Sequence, residues 1–343
     1  MGIVIPPWQK DDPGPILNQK TYAIFDGGDG MRSLPGLCLE LLAEQKKAWL
    51  DLRKGCESLK DVRERDVRCG GFSVRLQYNP GRIKSSLANM GEKKANERRC
   101  FLCLNHLPEG QKGLLYRNEY LILCNPMPIF SSHFTVSHLA HRPQAIIEHI
   151  EPFLRLMSEF GSDWTVFYNG AKCGASAPDH LHFQASPSGQ MPIEKEIREE
   201  KRLTLLTQID SALLYRVRGL GREVVILEGD DPAAVGGALQ GFQNALKEIL
   251  RIDEEPMMNI AGIYEERKWC LVVFPRRKHR PDAFFKKGEG RVVVSPGLID
   301  MGGVLVTPVK KDFERLDAAA VESIYREVSL EAETVEKAID ALA

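Results

Sequence analysis

The sequence predicts an α+β fold in which helices flank an antiparallel sheet. Strand-like and helix-like patterns alternate along the 343 residues. Many connections between strand segments are too short for the crossover that a parallel pair requires. A strand-like segment followed by His-Arg-Pro also occurs twice, ending at Pro143 and at Pro281. This internal echo indicates two related halves, which we place at residues 1–200 and 201–343.

The first half opens with an irregular arm over residues 1–35, which is rich in Gly, Pro and Asp. Apolar residues at helical spacing predict one helix over 38–52 and a second helix after Pro143. We interpret the charged stretch 194–202 as the connection to the second half. Short alternating segments predict strands over residues 71–76, 114–124, 133–138, 164–168 and 179–185.

The second half repeats this mixture of elements. Its most regular helical pattern covers residues 232–251, with an apolar stripe at every third or fourth position. No His-x-His motif follows the second His-Arg-Pro, so we predict a degenerate copy that packs against the first half and shapes its pocket. The other predicted elements are strands near 212–227, a hairpin over 258–274, strands near 291–295 and 303–307, and a long C-terminal helix over 312–342.

The composition is that of an ordinary globular protein, with 43% hydrophobic and 27% charged residues. Lys and Arg (46) nearly balance Asp and Glu (47), which argues against a broad basic surface for nucleic acid. No run approaches the roughly 20 apolar residues of a membrane span, and residues 1–15 do not predict a signal peptide. The eight cysteines are scattered, as in reduced proteins. We therefore expect a soluble cytoplasmic protein without nucleic-acid or membrane partners.

The most informative segment is 169–184, which reads Asn-Gly-Ala-Lys-Cys-Gly-Ala-Ser-Ala-Pro-Asp-His-Leu-His-Phe-Gln. Side chains alternate between the faces of a strand, so His180, His182 and Gln184 are expected on one face. The loop of small residues before them can bring backbone N–H groups close to a phosphate. A hydrogen-bonded polar face at a sheet edge is the alternative. Because loop and strand agree, we favour an anion-binding site.

A second candidate site is the Cys-x-x-Cys sequence from Cys100 to Cys103. Such a pair can be a redox couple, half of a zinc site, or two free thiols. A redox couple usually opens a helix after a strand, whereas here two arginines precede the pair and Leu-Asn-His follows it. The residues alone leave the metal site and the free thiols open.

The 169–184 segment resembles the histidine-triad (HIT-like) superfamily, in the branch that has Gln at the third triad position. That branch contains galactose-1-phosphate uridylyltransferases, dinucleoside polyphosphate phosphorylases and GDP-hexose phosphorylases. The resemblance is strongest to the last group, through the sequences at 180–185, at 191–195 and at 77–82 with Lys84. It covers about residues 40–200 well and the second half only loosely. The resemblance implies a HIT-like fold and transfer of a nucleotidyl group.

The resemblance also implies a role for each site residue. His182 would be the nucleophile that attacks the α-phosphorus, because an imidazole is neutral at pH 7 and forms a labile bond to phosphorus. Gln184 would hydrogen-bond a non-bridging phosphate oxygen, and His180 would be the first member of the triad. In this superfamily a Gln accompanies transfer to phosphate or to a sugar phosphate, whereas a His accompanies hydrolysis. The nucleotide and its phosphates would be held by Asn169, Gly170, Gly174, Ser176, Arg82 and Lys84.

Several members of the superfamily hold a structural zinc ion. The matching positions here are Cys100, Cys103, His141 and His180, a set suited to tetrahedral zinc. His106 and His138 are rival ligands. A zinc ion at this place would also stiffen the strand that presents His182.

These roles together predict phosphorolysis of a nucleoside diphosphate hexose, with GDP-hexose as first choice. Inorganic phosphate would be the acceptor, and the products would be hexose-1-phosphate and a nucleoside diphosphate. The enzymatic alternatives are a uridylyltransferase-like reaction with a sugar phosphate as acceptor and phosphorolysis of a dinucleoside polyphosphate. The alternative outside catalysis is a nucleotide-binding sensor that retains the fold. Dimerisation is common in the superfamily, so a homodimer is a further expectation.

Overall fold

The computed structural model describes residues 14–27, 32–87 and 99–342, and for Lys84 and Ser85 it describes only the backbone. Much of the predicted arm, residues 1–13 and 28–31, therefore lies outside the described residues. The strands are β1 (Thr21–Phe25), β2 (Arg63–Arg68), β3 (Ser73–Tyr78), β4 (Gly113–Tyr116), β5 (Tyr120–Cys124), β6 (Phe134–His138), β7 (Trp164–Asn169), β8 (His182–Pro187), β9 (Leu203–Ile209), β10 (Ala212–Val217), β11 (Val224–Gly229), β12 (Met258–Glu265), β13 (Lys268–Pro275) and β14 (Val304–Thr307).

The α-helices flank these strands. They are α1 (Gly14–Lys20), α2 (Leu34–Ala48), α3 (Leu50–Ser58), α4 (Ile83–Leu87), α5 (Ile150–Phe160), α6 (Ile193–Glu196), α7 (Pro232–Leu250), α8 (Leu298–Met301), α9 (Lys310–Arg315), α10 (Ala318–Val328) and α11 (Ala332–Asp340). In the described part of the chain, none of them is long and apolar enough to cross a membrane.

Eleven strands form one sheet, in the order β1-β4-β5-β6-β8-β7-β12-β13-β11-β10-β9. Apart from the parallel pair β1–β4, the neighbours pair antiparallel. The order contains one five-strand unit twice, β4-β5-β6-β8-β7 and β9-β10-β11-β13-β12, and the two units meet at β7 and β12. Helices α5 and α7 connect equivalent strands. The predicted α+β fold with two related halves is thus confirmed, whereas the boundary at residue 200 stays a prediction.

Each face of this sheet is covered by a different layer. Helices α2, α5, α7 and α11 supply apolar side chains to the core on one face. The opposite face packs against a small sheet with the order β14-β3-β2 and against helices α8 and α10. Burial of these apolar surfaces on both sides is the main stabilising contribution, at roughly 25 cal/mol per Å² removed from water.

Helix α7 illustrates how local sequence sets an element. The Asp231 side chain accepts a hydrogen bond from the Ala233 N–H, and Pro232 occupies the first turn, where no donor is lost. Val235, Leu239 and Phe242 are fully buried along one stripe. The helix predicted over 232–251 is therefore confirmed.

Several predicted elements differ in extent. The helix predicted over 38–52 begins earlier, at Leu34, where Ser33 caps it, and it is interrupted at Trp49, whose backbone is extended. The single strand predicted over 114–124 is a hairpin, because Arg117 and Asn118 adopt positive φ values and reverse the chain. Residues 291–295 form no strand, and the predicted C-terminal helix is three helices, α9 to α11.

The two His-Arg-Pro tripeptides do not lie at equivalent positions in the two halves, so the alignment of the halves on them was wrong. The first copy follows β6, but the second follows β13, and β13 occupies the place of β8 in the repeated unit. The equivalent of β6 is β11. The halves are related, although by strand order and not by this tripeptide.

Candidate active site

Strand β8 places the predicted motif residues on two faces of the large sheet. Leu181 and Phe183 are buried in the core beneath the helices, as predicted. His182 and Gln184 point the other way, into a cavity. The strand begins only at His182. His180 therefore precedes the strand, and its side chain lies outside this cavity, in a group with the cysteine pair.

The two ring nitrogens of His182 have different surroundings. Nδ1 lies 2.8 Å from the carbonyl oxygen of His180, so it carries the proton and donates. Nε2 is buried without a hydrogen-bond partner in the described part of the chain. Burial lowers the pKa of His182 to about 4. The ring is thus neutral, with an unshared lone pair on Nε2.

Gln144, which the sequence analysis did not single out, fixes the backbone of this strand. Its Oε1 accepts from the His182 N–H at 2.8 Å. Its Nε2 donates to the His182 carbonyl oxygen at 3.0 Å and to the Asn169 carbonyl oxygen at 2.8 Å. One buried side chain therefore links β7 to β8 at the point where the nucleophile candidate begins the strand.

Gln184 is held by His133. The His133 Nε2 lies 2.7 Å from the Gln184 Oε1, and the His133 Nδ1 accepts from the Ile129 N–H at 3.3 Å. Burial lowers the pKa of His133 to about 4, and the nearby Arg82 guanidinium contributes in the same direction. His133 is 3% exposed and lines the cavity.

The loop between β7 and β8 wraps around one end of the cavity. Gly174 has φ +103°, and a Cβ there would lie 2.6 Å from Gly297 Cα. Ser176 is exposed and lines the cavity with Gly174. The Gly170 N–H instead donates to the Met258 carbonyl oxygen at 3.0 Å. The Gly170 N–H is therefore engaged by this carbonyl, and the role of Gly170 as a phosphate ligand stays a prediction.

Asn169 is oriented by residues of the second half. Its Oδ1 accepts from Asn259 Nδ2 and from the Leu298 N–H, both at 2.7 Å. Asn259 in turn accepts from the guanidinium of Arg276, whose fully buried side chain has its pKa lowered to about 10 by burial. The Asn169 amide nitrogen is consequently the group that this arrangement presents as a donor.

The cavity has a volume of about 470 Å³, and His182 is one of its lining residues. The polar lining residues that also border an adjoining recess are called the polar end, and the apolar lining residues are called the apolar end. The apolar end is formed by Trp49, Phe101, Leu102, Pro108, Leu123 and Met127. The polar end contains Arg82, Ser176, Ser295 and Asp300 and continues into a smaller recess with Ser86, His279 and Arg280.

Two arginines border the polar end. Arg82 donates to the Met127 carbonyl oxygen at 2.7 Å, and Arg280 donates to the Ser295 Oγ at 2.9 Å. Ser295 Oγ is also 2.9 Å from His279 Nε2. Asp300 is the carboxylate nearby, and its oxygens accept from the backbone N–H groups of Gly297 and Val306. Burial raises its pKa to about 6.

The predicted metal ligands lie together. Cys100, Cys103, His141 and His180 each offer one ligand atom, and these atoms all lie within 4.8 Å of one another. The Cys100 Sγ is 3.3 Å from His180 Nδ1, and the Cys103 Sγ is 3.2 Å from His141 Nδ1. The rival residues are engaged elsewhere: His106 Nδ1 with the Cys100 carbonyl oxygen and His138 Nδ1 with the backbone of Ala140.

The donor set suits a zinc ion. Two sulfurs and two imidazole nitrogens are the usual ligands of a closed tetrahedral site. Each imidazole also has its other nitrogen near an acceptor, as ligating histidines usually do. His180 Nε2 is 2.8 Å from the His138 carbonyl oxygen, and His141 Nε2 is 3.7 Å from the Asp179 carboxylate.

Sequence reasoning brought the main residues together but missed their partners. His182, Gln184, Asn169, Gly174, Ser176 and Arg82 line one cavity, as predicted. Lys84 belongs to α4, and its side chain lies outside the described residues. Asn259 offered a signal, since it is a polar residue in an otherwise apolar strand segment. Gln144, His133 and Ser295 offered none.

The fold and this cavity define the class of protein: a duplicated α+β protein with a polar, partly basic cavity beside the large sheet. It is similar in structure to the yeast Ap4A phosphorylase Apa2 in complex with AMP, with a TM-score of 0.57 and 14% identity over 85% of this chain and 96% of that chain. The Ap4A complex of Apa2 gives a TM-score of 0.55 and 15% identity over 86% and 97% of the chains. At such identities the likeness establishes the fold alone.

Two sequence comparisons complete these findings. Residues 41–187 match the model of a domain of unknown function, DUF4922. This match covers the strands that carry the cavity and the cysteine pair. No curated protein matches the sequence significantly.

Proposed function

We propose that the protein transfers a nucleotidyl group through a covalent bond to His182 and passes it to inorganic phosphate. The observation that carries this proposal is the unpartnered Nε2 of a neutral, buried imidazole that lines a cavity together with apolar and basic side chains. A nucleophile of this kind is fixed in position before the substrate arrives, which lowers the entropic part of the barrier.

The first step forms the enzyme-bound nucleotide. The Nε2 lone pair attacks the α-phosphorus of the donor, a P–N bond forms, and the bond from phosphorus to its bridging oxygen breaks. The leaving group departs with that oxygen and its electron pair. The Nδ1 proton stays shared with the His180 carbonyl oxygen at 2.8 Å, which stabilises the positive charge that develops on the ring.

The second step restores the enzyme. An oxygen of inorganic phosphate attacks the same phosphorus, and the P–N bond breaks with its electrons returning to Nε2. The product is a nucleoside diphosphate. The amide groups of Gln184 and Asn169 donate to phosphate oxygens as charge moves onto them, which is the type of electrostatic stabilisation that contributes most in phosphoryl-type transfer.

The apolar end of the cavity receives the nucleobase. Phe101 is 43% exposed and Met127 is 41% exposed, and both line the cavity together with the buried Trp49. An aromatic side chain can stack on a purine or pyrimidine ring, and the apolar Met127 side chain can enclose it. The polar end then faces the leaving group and, later, the attacking phosphate.

The donor is a dinucleoside polyphosphate in preference to the GDP-hexose first expected. Arg82 and Arg280 both border the end that holds the leaving group. A chain of several phosphates matches two guanidinium groups better than a hexose-1-phosphate with its neutral ring does. The fold shared with an Ap4A phosphorylase supports the same choice. A GDP-hexose donor remains the second candidate, on the strength of the motif sequences around His182.

A zinc ion held by Cys100, Cys103, His141 and His180 is part of the proposal. Its chemistry here would be structural: it would hold the loop that carries Phe101 next to the segment that carries His182. The chain's own residues, and not the ion, carry the transfer.

The decisive experiment is to trap the intermediate. The protein is incubated without phosphate with diadenosine tetraphosphate, GDP-mannose, UDP-glucose or ADP-glucose, and its mass is measured. A nucleotidyl adduct on His182 is expected, with release of a nucleoside diphosphate when phosphate is added. The adduct should be absent from His182→Ala and present in the control His106→Ala, whose exposed ring lies outside the cavity.

The substrates that give an adduct distinguish between the two candidate substrates and the nucleotide-binding sensor. An adduct from diadenosine tetraphosphate alone supports the preferred donor, and an adduct from a nucleotide sugar supports the second. Turnover that survives in His182→Ala would refute the mechanism. Tight nucleotide binding with no adduct from any donor would favour the sensor.

A further inference from the structure

We infer that His133 is a positioning residue that selects the orientation of the Gln184 amide, so that its NH₂ group and not its oxygen faces the phosphate. This inference rests on the proposed function. The structure places the ring of His133 against the side chain of Gln184.

The backbone of Ile129 determines which ring nitrogen of His133 carries the proton. The Ile129 N–H points at Nδ1 from 3.3 Å, and a backbone N–H can only donate. Nδ1 must therefore act as the acceptor. In a neutral ring the other nitrogen then carries the proton, so Nε2 is a donor.

The tautomer of His133 determines the orientation of the Gln184 amide. The His133 Nε2–H lies 2.7 Å from the Gln184 Oε1 and donates to it. If the amide turned by 180°, its NH₂ group would face the Nε2–H and two donors would meet in a buried contact, which costs free energy. The backbone of Ile129 thus fixes the His133 tautomer, and the tautomer fixes Gln184.

The orientation of Gln184 has a consequence in the cavity. With Oε1 engaged by His133, the Nε2 of Gln184 is the polar group that this side chain directs at a substrate, on the same strand face as His182. A donor matches the negative non-bridging oxygens of a phosphate, and an amide oxygen would repel them. The contact between the His133 and Phe167 rings, 5.8 Å between centroids, helps to hold the imidazole in place.

His133→Phe tests this inference, because Phe has a similar shape and no hydrogen-bond donor. At a saturating concentration of the nucleotide substrate, we expect the rate of nucleotidyl-His182 formation to fall about tenfold or more. A loss of this size is the effect of a misplaced hydrogen bond to a charged group. The donor concentration at half-maximal rate should change less than about twofold. His133→Gln, whose amide can also donate, should recover much of the loss.

The coupling with Gln184 separates positioning from a merely structural role. Gln184→Ala already lacks the amide that His133 orients. Adding His133→Phe to Gln184→Ala should therefore reduce the rate of nucleotidyl-His182 formation no further. A matched control is His149→Phe, which removes a buried imidazole that pairs with the Tyr120 hydroxyl at 3.0 Å, outside the cavity. Its rate per folded molecule should equal that of the wild type. Equal losses from His133→Phe in both backgrounds would overturn the inference.

A readout independent of activity keeps this test apart from that of the proposed function. Nitrogen-15 spectra of histidine-labelled protein at neutral pH, with His133→Phe used for assignment, report which ring nitrogen carries the proton. The proton is expected on Nε2. A proton on Nδ1 would overturn the inference even if His182 forms the adduct. If the His133 proton is on Nε2 but no nucleotidyl-His182 adduct forms, the proposed function alone is refuted. A rate of adduct formation that His133→Phe leaves unchanged would again overturn the inference.

Discussion

Strands β8 and β13 hold the same position in the two halves and differ in what covers them. Each directs apolar residues toward the helices: Phe183 and Ala185 from β8, Leu271 and Val273 from β13. On the opposite face β8 carries His182 and Gln184 into a cavity. On that face of β13, Val272 and Phe274 are packed in one core with β14 and α10.

The difference shows what turns this strand position into a site. Both halves provide the same rigid strand between two antiparallel neighbours. In the second half the small sheet and α10 fill the space, so only apolar residues are stable there. In the first half the space stays open, and polar side chains are retained because each one is held by a partner such as Gln144 or His133.

The largest effect is expected from the metal-ligand cluster of Cys100, Cys103, His141 and His180. Within the described residues, this cluster belongs to the first half alone. Cys103→Ser should lose bound zinc and reduce the free energy of unfolding by at least about 3 kcal/mol, because metal binding contributes directly to folding. Metal analysis and urea unfolding test this. Removal of zinc from the wild type with a chelator should reproduce the loss.

The control for that variant is Cys69→Ser, which changes a half-buried thiol after β2. It should retain the metal and unfold close to the wild-type urea concentration. A wild-type protein that is purified without zinc and unfolds identically after zinc is added would contradict the prediction.

A second prediction concerns the filled face of β13. Val272→Ala removes two methyl groups from a fully buried position and should lower the free energy of unfolding by about 2 kcal/mol. The rate of nucleotidyl transfer per folded molecule should not change, since Val272 lies outside the cavity. Urea unfolding and adduct formation measured on the same samples test both statements. A slower transfer would contradict the prediction and show that the packing of β13 affects the cavity.

A third prediction concerns the contact between the two halves, where Asn169 of β7 meets Asn259 of β12. Asn259→Ala removes the amide group that donates a hydrogen bond to Asn169 and orients it. The concentration of the nucleotide substrate at half-maximal rate should rise about tenfold, which corresponds to about 1.4 kcal/mol. Gln243→Ala in α7 also removes a fully buried amide, but it lies outside the cavity. This control should leave that concentration unchanged. Equal effects of the two variants would mean that Asn169 needs no orientation from β12.

The smallest effect comes from pH. The pKa of His133 is lowered from 6.5 to about 4 in the folded protein, so between these values the unfolded chain binds more protons and stability falls as pH decreases. From about pH 7.5 to about pH 5.5 the loss due to His133 should be roughly 1 kcal/mol. His133→Phe should show a shallower decline in urea unfolding across that range. An identical slope would contradict the lowered pKa.

The site could be located from the sequence, but the residues that hold it in place could not. The small-residue loop and the period-two pattern were enough for β8, because both are local. The four-residue metal-ligand cluster came from a family resemblance, since its members are up to 80 residues apart. Gln144, Asn259 and Ser295 were missed because their role depends on residues that only the folded sheet brings near. Trp49, Asp317 and Ser329, whose backbones are extended, likewise interrupt helices that looked continuous in the sequence.

The Cys100–Cys103 loop has a consequence for how this protein can change. Phe101 forms part of the apolar end of the cavity and sits between two members of the metal-ligand cluster. His180 belongs to the same cluster and is two residues from His182. A mutation that moves this loop would therefore also move His180, which contacts Cys100, and with it the segment that carries His182. Under the proposed function, a change in preference for the base would then be accompanied by a change in the rate of transfer.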